Sequence, residues 1–163
     1  MKRLIIITAI LALCTNANAD NIRFAGYPSL SPDGKTIYFS YDGDIYRVPV
    51  SGGQATAVIT MAGEQNHPEV SPDGKHLAFS SNIQGNNDVY VVTVNGGQAV
   101  QLTFHEAGDT PVGWSADSRY IYFESTRSSA RKTTFRVSVD GGTPELMFSG
   151  FFNTIVNLAE NPK

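Results

Sequence analysis

Cysteine is all but missing from this chain: the single one, Cys14, lies within the first 19 residues, and the rest is thiol-free. Beyond that point a disulfide framework, a thiolate metal site and a cysteine nucleophile are excluded. Long apolar runs are missing as well. The one candidate, Leu4 to Leu13, is too short to span a bilayer. There is no basic run and no stripe of aromatic and arginine residues, and the formal net charge is −3. That balance argues against nucleic acid or an anionic membrane surface and leaves a protein or peptide as the partner. No low-complexity linker divides the sequence, so beyond its leader it reads as one domain.

The leader is explicit. Lys2 and Arg3 supply a positive start, Leu4 to Leu13 the apolar stretch, and Ala17-Asn18-Ala19 a small-residue cleavage site. Residues 1–19 are therefore expected to be a signal peptide, with Asp20 the first mature residue. The expected location is periplasmic or secreted, without membrane insertion after cleavage. Lipidation at Leu11-Ala12-Leu13-Cys14 is the alternative, which the bulky Leu13 fits poorly.

What the sequence has in quantity is repetition. Ser31-Pro32-Asp33-Gly34-Lys35 returns as Ser71-Pro72-Asp73-Gly74-Lys75 and, altered, as Ser115-Ala116-Asp117-Ser118-Arg119. Its residue order is that of a tight turn: proline presets φ, aspartate bonds back to the main chain, and glycine takes positive φ. A β run follows each copy (Thr36 to Ser40, His76 to Ser80, Tyr120 to Glu124), and a second begins at Asp44, Asp88 and Thr133. Gly52-Gly53, Gly96-Gly97 and Gly141-Gly142 are read as a second tight turn. They lead into last strands over Ala55 to Thr60, Ala99 to Phe104 and Pro144 to Phe148. A short first strand opens at Pro28, Pro68 and Pro111.

The turn recurs after 40 and then 44 residues, and the glycine pair after 44 and then 45. Four antiparallel strands per period of about 40 to 45 residues predict an all-β fold, a β-propeller with four-stranded blades. The blades are expected at about 27–61, 67–104 and 110–148. In the third strand of each, Tyr46/Val48/Val50, Tyr90/Val92/Val94 and Phe135/Val137/Val139 form the apolar face; the opposite face is mixed. Residues 20–26 are either a lead-in or a strand completing a distant blade. From glycine pair to next turn is 19 residues twice, and the same step from Gly141 lands on Glu160-Asn161-Pro162-Lys163. A fourth blade is thus expected to start over 151–163. Three blades do not close a ring, since propellers carry roughly four or more. The expectation is therefore an open, incomplete propeller spanning 20–163, completed by further blades of a longer parent chain; ring closure by self-association is the weaker alternative.

At this point a resemblance can be stated. Pro-x-Leu-Ser-Pro-Asp-Gly-Lys-x-Ile-x-Phe-Ser, then Asp-Ile-Tyr-x-Val, then Gly-Gly-x-Ala, resembles the propeller repeat of the TolB and tricorn-type family over roughly Tyr27 to Phe148. Gly43-Asp44-Ile45-Tyr46-Arg47-Val48-Pro49 near the mature N-terminus, and Gly150 to Thr154 after the third blade, are more similar to exported tricorn-like serine peptidases. No counterpart is expected for the α/β domain that precedes the propeller in TolB, since blade one begins within a few residues of the expected cleavage site. The resemblance implies a non-catalytic propeller segment that gates peptides or serves as a scaffold, with the nucleophilic serine on a separate C-terminal module. The alternative it implies is a TolB-like periplasmic protein-binding propeller with no enzyme attached.

Catalytic residues are not expected within this chain. Gly113-Trp114-Ser115-Ala116-Asp117 comes within one residue of a nucleophile elbow, but it occupies a hairpin slot between two strands rather than a strand-to-helix turn. Asp42-Gly43-Asp44 and Asn86-Asn87-Asp88 carry oxygen ligands in too small a number for calcium, so neither a metal nor a cofactor is expected. His76 is read as a solvent-facing strand residue, and Arg127, Arg131 and Lys132 as a small basic spot. The candidate binding residues are those of the loops crossing from one blade to the next: Asn66 and His67, then His105, Glu106 and Asp109.

Overall fold

Each Ser-x-Asp turn is closed by its own side chains. In the first, Ser31 Oγ donates to Asp33 Oδ1 at 2.6 Å and accepts the N–H of Thr36 at 2.9 Å, while Asp33 Oδ1 also accepts the N–H of Lys35. The same bonds recur around Ser71 and Ser115 at the same distances. Gly34 and Gly74 take φ of +69°, which glycine adopts without a Cβ penalty, and Ser118 is held at +61° in the worn copy.

These turns join the first two strands of three sheets in a computed structural model that describes residues 25–148. The expected signal peptide (1–19) and the start of a fourth blade (151–163) lie outside the described residues. The first sheet holds β1 (Gly26–Leu30), β2 (Thr36–Tyr41), β3 (Asp44–Pro49) and β4 (Thr56–Ile59). The second holds β5 (Gln65–Val70), β6 (His76–Ser81), β7 (Asp88–Thr93) and β8 (Val100–Gln101). The third holds β9 (Asp109–Trp114), β10 (Tyr120–Ser125), β11 (Thr133–Ser138) and β12 (Glu145–Phe148). Every pairing is antiparallel between sequence neighbours, and β1, β5 and β9 lie side by side. The fold is an open β-propeller of three four-stranded blades.

Three details depart from the sequence reading. The first strands begin ahead of their prolines: Pro28 and Pro68 sit inside bulges, where a missing N–H costs no ladder bond, and Pro111, paired with Phe123, borders a bulge at Val112. β8 is far shorter than Ala99 to Phe104, since Thr103 Oγ1 takes the N–H of Val89 at 2.9 Å and ends the ladder. In the second turns Gly52, Gly96 and Gly141 donate to the carbonyls of Pro49, Thr93 and Ser138, so the turn centre lies two residues ahead of a turn centred on the glycine pair, whose first member closes it.

The core lies between blades. One cluster joins Tyr38, Ile45 and Ile59 of blade one to Leu77, Phe79 and Tyr90 of blade two. The other joins Ala78, Val89 and Val91 of blade two to Ile121, Phe123 and Phe135 of blade three. The face expected to be apolar on the third strand packs against the preceding blade in blades two and three. Blade one has no preceding blade among the described residues, and there the mixed face supplies the fully buried residue, Ile45, while Tyr46 and Val48 stay half-exposed.

Gly96, at φ +87°, lies so close to blade one that a Cβ would meet the Val58 carbonyl oxygen at 2.7 Å, whereas Gly141, also at +87°, has open space. Gly141→Ala should therefore cost about 1 kcal/mol from backbone strain alone, and Gly96→Ala measurably more. Urea denaturation of both variants checks the order; equal losses would mean that blades one and two do not approach at Gly96.

Candidate functional site

The five candidate residues fall in three places. Asn66 and His67 belong to β5 rather than to a crossover loop, because the strand starts before its bulge. His67 takes φ +51°, as Tyr27 does at the matching place in blade one, and the two rings stack at 3.7 Å between centroids. His67 Nδ1 lies 2.8 Å from Asn66 Oδ1. Burial, and then the Lys132 charge, hold its pKa below the ordinary 6.5. The neutral ring donates through Nδ1 to the amide oxygen, which leaves Nε2 as an acceptor.

His105 and Glu106 lie in the exposed loop after β8. His105 Nδ1 accepts the N–H of Ala107 at 2.9 Å, and Asn86 Nδ2 donates to the His105 carbonyl at 2.9 Å. Asp109 is different in kind: it opens β9 with 0% exposure and is paired with Arg127. Arg127 is therefore no part of an exposed basic spot; its guanidinium lies over the rings of Phe123 and Phe135 at 5.0 and 5.2 Å. Lys132 pairs with Glu124. His76 is also not the solvent-facing residue expected, since its ring packs on Trp114 across the boundary between blades two and three.

Beside Asn66 the surface opens into a recess of about 300 Å³ between blades one and two. Its walls carry Tyr27, Tyr41, Asp42, Glu64 and Asn66. The Asp42-Gly43 turn builds one side and is tied to blade two by the bond from Gln65 N–H to the Gly43 carbonyl at 2.7 Å. Asp42 takes φ +50° to make that turn. The recess is rich in carboxylate and phenol oxygen and carries no lysine or arginine in its lining. Sequence reading passed over Tyr27 and Glu64 and weighed Asp42 only as one of too few oxygen ligands for calcium. Asp42-Gly43 was legible only as a hairpin loop, and nothing local marks Glu64 as its neighbour.

Among the described residues, no group of three or more His, Cys, Asp or Glu side chains is placed to hold a metal ion. Ser115 has the geometry of a turn residue, donating to Asp117 Oδ1 and accepting the N–H of Tyr120, and its hydroxyl bonds no histidine.

Nearer the strand centre, burial raises the pKa of Glu69 from 4.5 to about 7. The folded chain keeps this proton while the unfolded chain releases it, so this carboxyl makes stability fall as pH rises from about 4.5 to about 7. Glu69→Gln should remove that decline. Urea titrations between about pH 5 and about pH 8 check it, and an unchanged slope in the variant would locate the proton elsewhere.

The comparisons agree with this geometry. The model of the tricorn protease N-terminal β-propeller domain matches residues 23–156. Tricorn protease homolog 1 of Streptomyces coelicolor is 35% identical over 114 residues, 68% of this chain but 11% of that protein. TolB of Acinetobacter baumannii superposes with a TM-score of 0.63 at 25% identity, over 74% of this chain and 31% of TolB. The tricorn protease crystal structure gives 0.59 at 16% identity, over 74% of this chain and 14% of that one, which is a likeness of fold. The chain thus spans a small part of each of these proteins. With a family model covering most of its length and the blade pattern in place, the chain belongs to the tricorn protease N-terminal β-propeller family.

Proposed function

We propose that this chain is a non-catalytic propeller segment of an exported tricorn-like serine peptidase, acting in the periplasm or outside the cell as a peptide-gating or scaffold module. The observation that carries the reading is the family match over residues 23–156, joined to a relative named as a tricorn protease homolog. The proposed contact surface is the rim at Asn66 and His67 with the adjoining recess, together with the exposed His105 and Glu106. Asp109 contributes from beneath, holding blade three through Arg127. The remaining blades of the parent chain are the proposed partners of the outer faces of blades one and three, where Tyr46, Val48, Tyr120 and Tyr122 are only half-buried. The superposition on TolB favours a second reading, a protein-binding propeller with no enzyme attached.

The two readings separate on the coding sequence downstream of Lys163. A PDZ-like segment followed by a serine peptidase core supports the first; a stop soon after the closing blades leaves the second. For the chain itself, the expected outcome is binding of unstructured peptides without hydrolysis. Turnover abolished by Ser115→Ala would overturn both the turn assignment and the non-catalytic role.

A further inference from the structure

The repeat allows the recess between blades one and two to be compared with the equivalent place between blades two and three. Register puts Gln65 opposite Ser81 in blade two as Asp109 lies opposite Ser125 in blade three, and Ser40 matches Ser80. In the second boundary these positions have partners, apart from Asp109 Oδ1, which is buried without one. Ser80 Oγ donates to the Asp109 carbonyl at 2.9 Å, Asp109 pairs with Arg127, and Arg127 Nε donates to Ser125 Oγ at 3.4 Å. The guanidinium rests on the Phe123/Phe135 pair, whose centroids are 5.7 Å apart.

In the first boundary the same positions lack partners. Gln65 is 1% exposed and Ser40 9%, both line the recess, and neither Gln65 Oε1 nor Ser40 Oγ has a hydrogen bond. Gln65 Nε2 is committed to the Ala62 carbonyl at 3.1 Å, so the amide cannot turn its oxygen away without losing that bond. Ser81 Oγ and Tyr90 OH are likewise buried and unpartnered. Outside the lining of the recess, Phe79 and Tyr90 stack at 5.7 Å as Phe123 and Phe135 do in blade three. Two residues beyond the shared serine, where blade three has Arg127, blade two has the exposed Ile83. Buried acceptors without donors are costly, and negative charge from Asp42 and Glu64 stands beside them.

We propose that this recess binds the guanidinium of an arginine side chain presented by a peptide, at the boundary that corresponds to the one where Arg127 is held internally. Gln65 Oε1 and Ser40 Oγ are the inner acceptors, and Asp42 and Glu64 supply the countercharge. A planar, weakly hydrated cation with five donors suits such a lining better than an ammonium does. The inference rests on the peptide-binding reading above and names the side chain recognised.

The test uses the whole chain and the blocked peptide acetyl-Ala-Ala-Arg-Ala-Ala-amide, compared by titration calorimetry with its citrulline counterpart, which keeps the shape and loses the charge. The arginine peptide should bind at least about tenfold more tightly. The double variant Gln65→Asp with Ile83→Arg rebuilds the pair of blade three. It should melt no lower than the parent chain and should lose the preference for arginine. Equal binding of both peptides to parent and double variant would overturn the cation site while leaving peptide binding intact. Binding of neither peptide would overturn the peptide reading as well.

Discussion

Asp109→Ala should lower the stability of the chain by about 3 to 5 kcal/mol, although the residue offers nothing to solvent. Its carboxylate is the ion-pair partner of Arg127, whose side chain is only 12% exposed and lies over Phe123 and Phe135. Removing the carboxylate leaves a guanidinium against two rings with a long 3.4 Å bond from Nε to Ser125 Oγ, so the loss reflects an uncompensated buried charge rather than one missing bond. Asp109→Ala combined with Arg127→Met should recover most of it, because the pair is replaced by apolar volume. Chemical denaturation followed by circular dichroism reads both variants. If the double variant is as unstable as the single one, the ion pair is not the source of the effect.

Trp114→Ala should cost a similar amount, about 3 to 5 kcal/mol, by opening a cavity at the same boundary. The indole is 3% exposed, packs against His76, and donates from Nε1 to the Glu69 carbonyl of blade two at 2.9 Å. Trp114→Phe keeps most of the ring and loses the bond, so it should cost about 1 kcal/mol. Trp114 is the only tryptophan, which makes its emission a direct report on the contact between blades two and three. Denaturation of the parent chain should therefore give the same midpoint by fluorescence and by circular dichroism. An earlier fluorescence midpoint would mean that blade three separates first.

The residues whose roles were misread share a physical character. His76, Arg127 and Asp109 are polar and sit at strand ends or in loops, where sequence alone predicts solvent. Their surroundings come from a different blade or from the far side of their own: Trp114 for His76, Asp109 for Arg127. The prolines misplaced the first strands for a related reason. A missing N–H argues against pairing only where the ladder would use it, and a bulge makes that irrelevant at Pro28 and Pro68, while Pro111 stands beside one.

What the sequence determined by itself was the turn and its spacing, hence the strands, their antiparallel order and the number of blades among residues 25–148. The chemistry responsible acts over five residues: a serine hydroxyl, an aspartate and a glycine at positive φ close the same turn wherever they occur. The tertiary structure alone decided which strand faces are buried and where the polar groups find partners. Those outcomes depend on residues tens of positions apart, as when Trp114 meets Glu69 across 45 residues or Gln65 comes to line the same recess as Ser40. Between blades two and three the partners are supplied by Asp109 and Arg127; between blades one and two the same positions hold Gln65 and Ile83, and that difference opens the recess to a cation from outside.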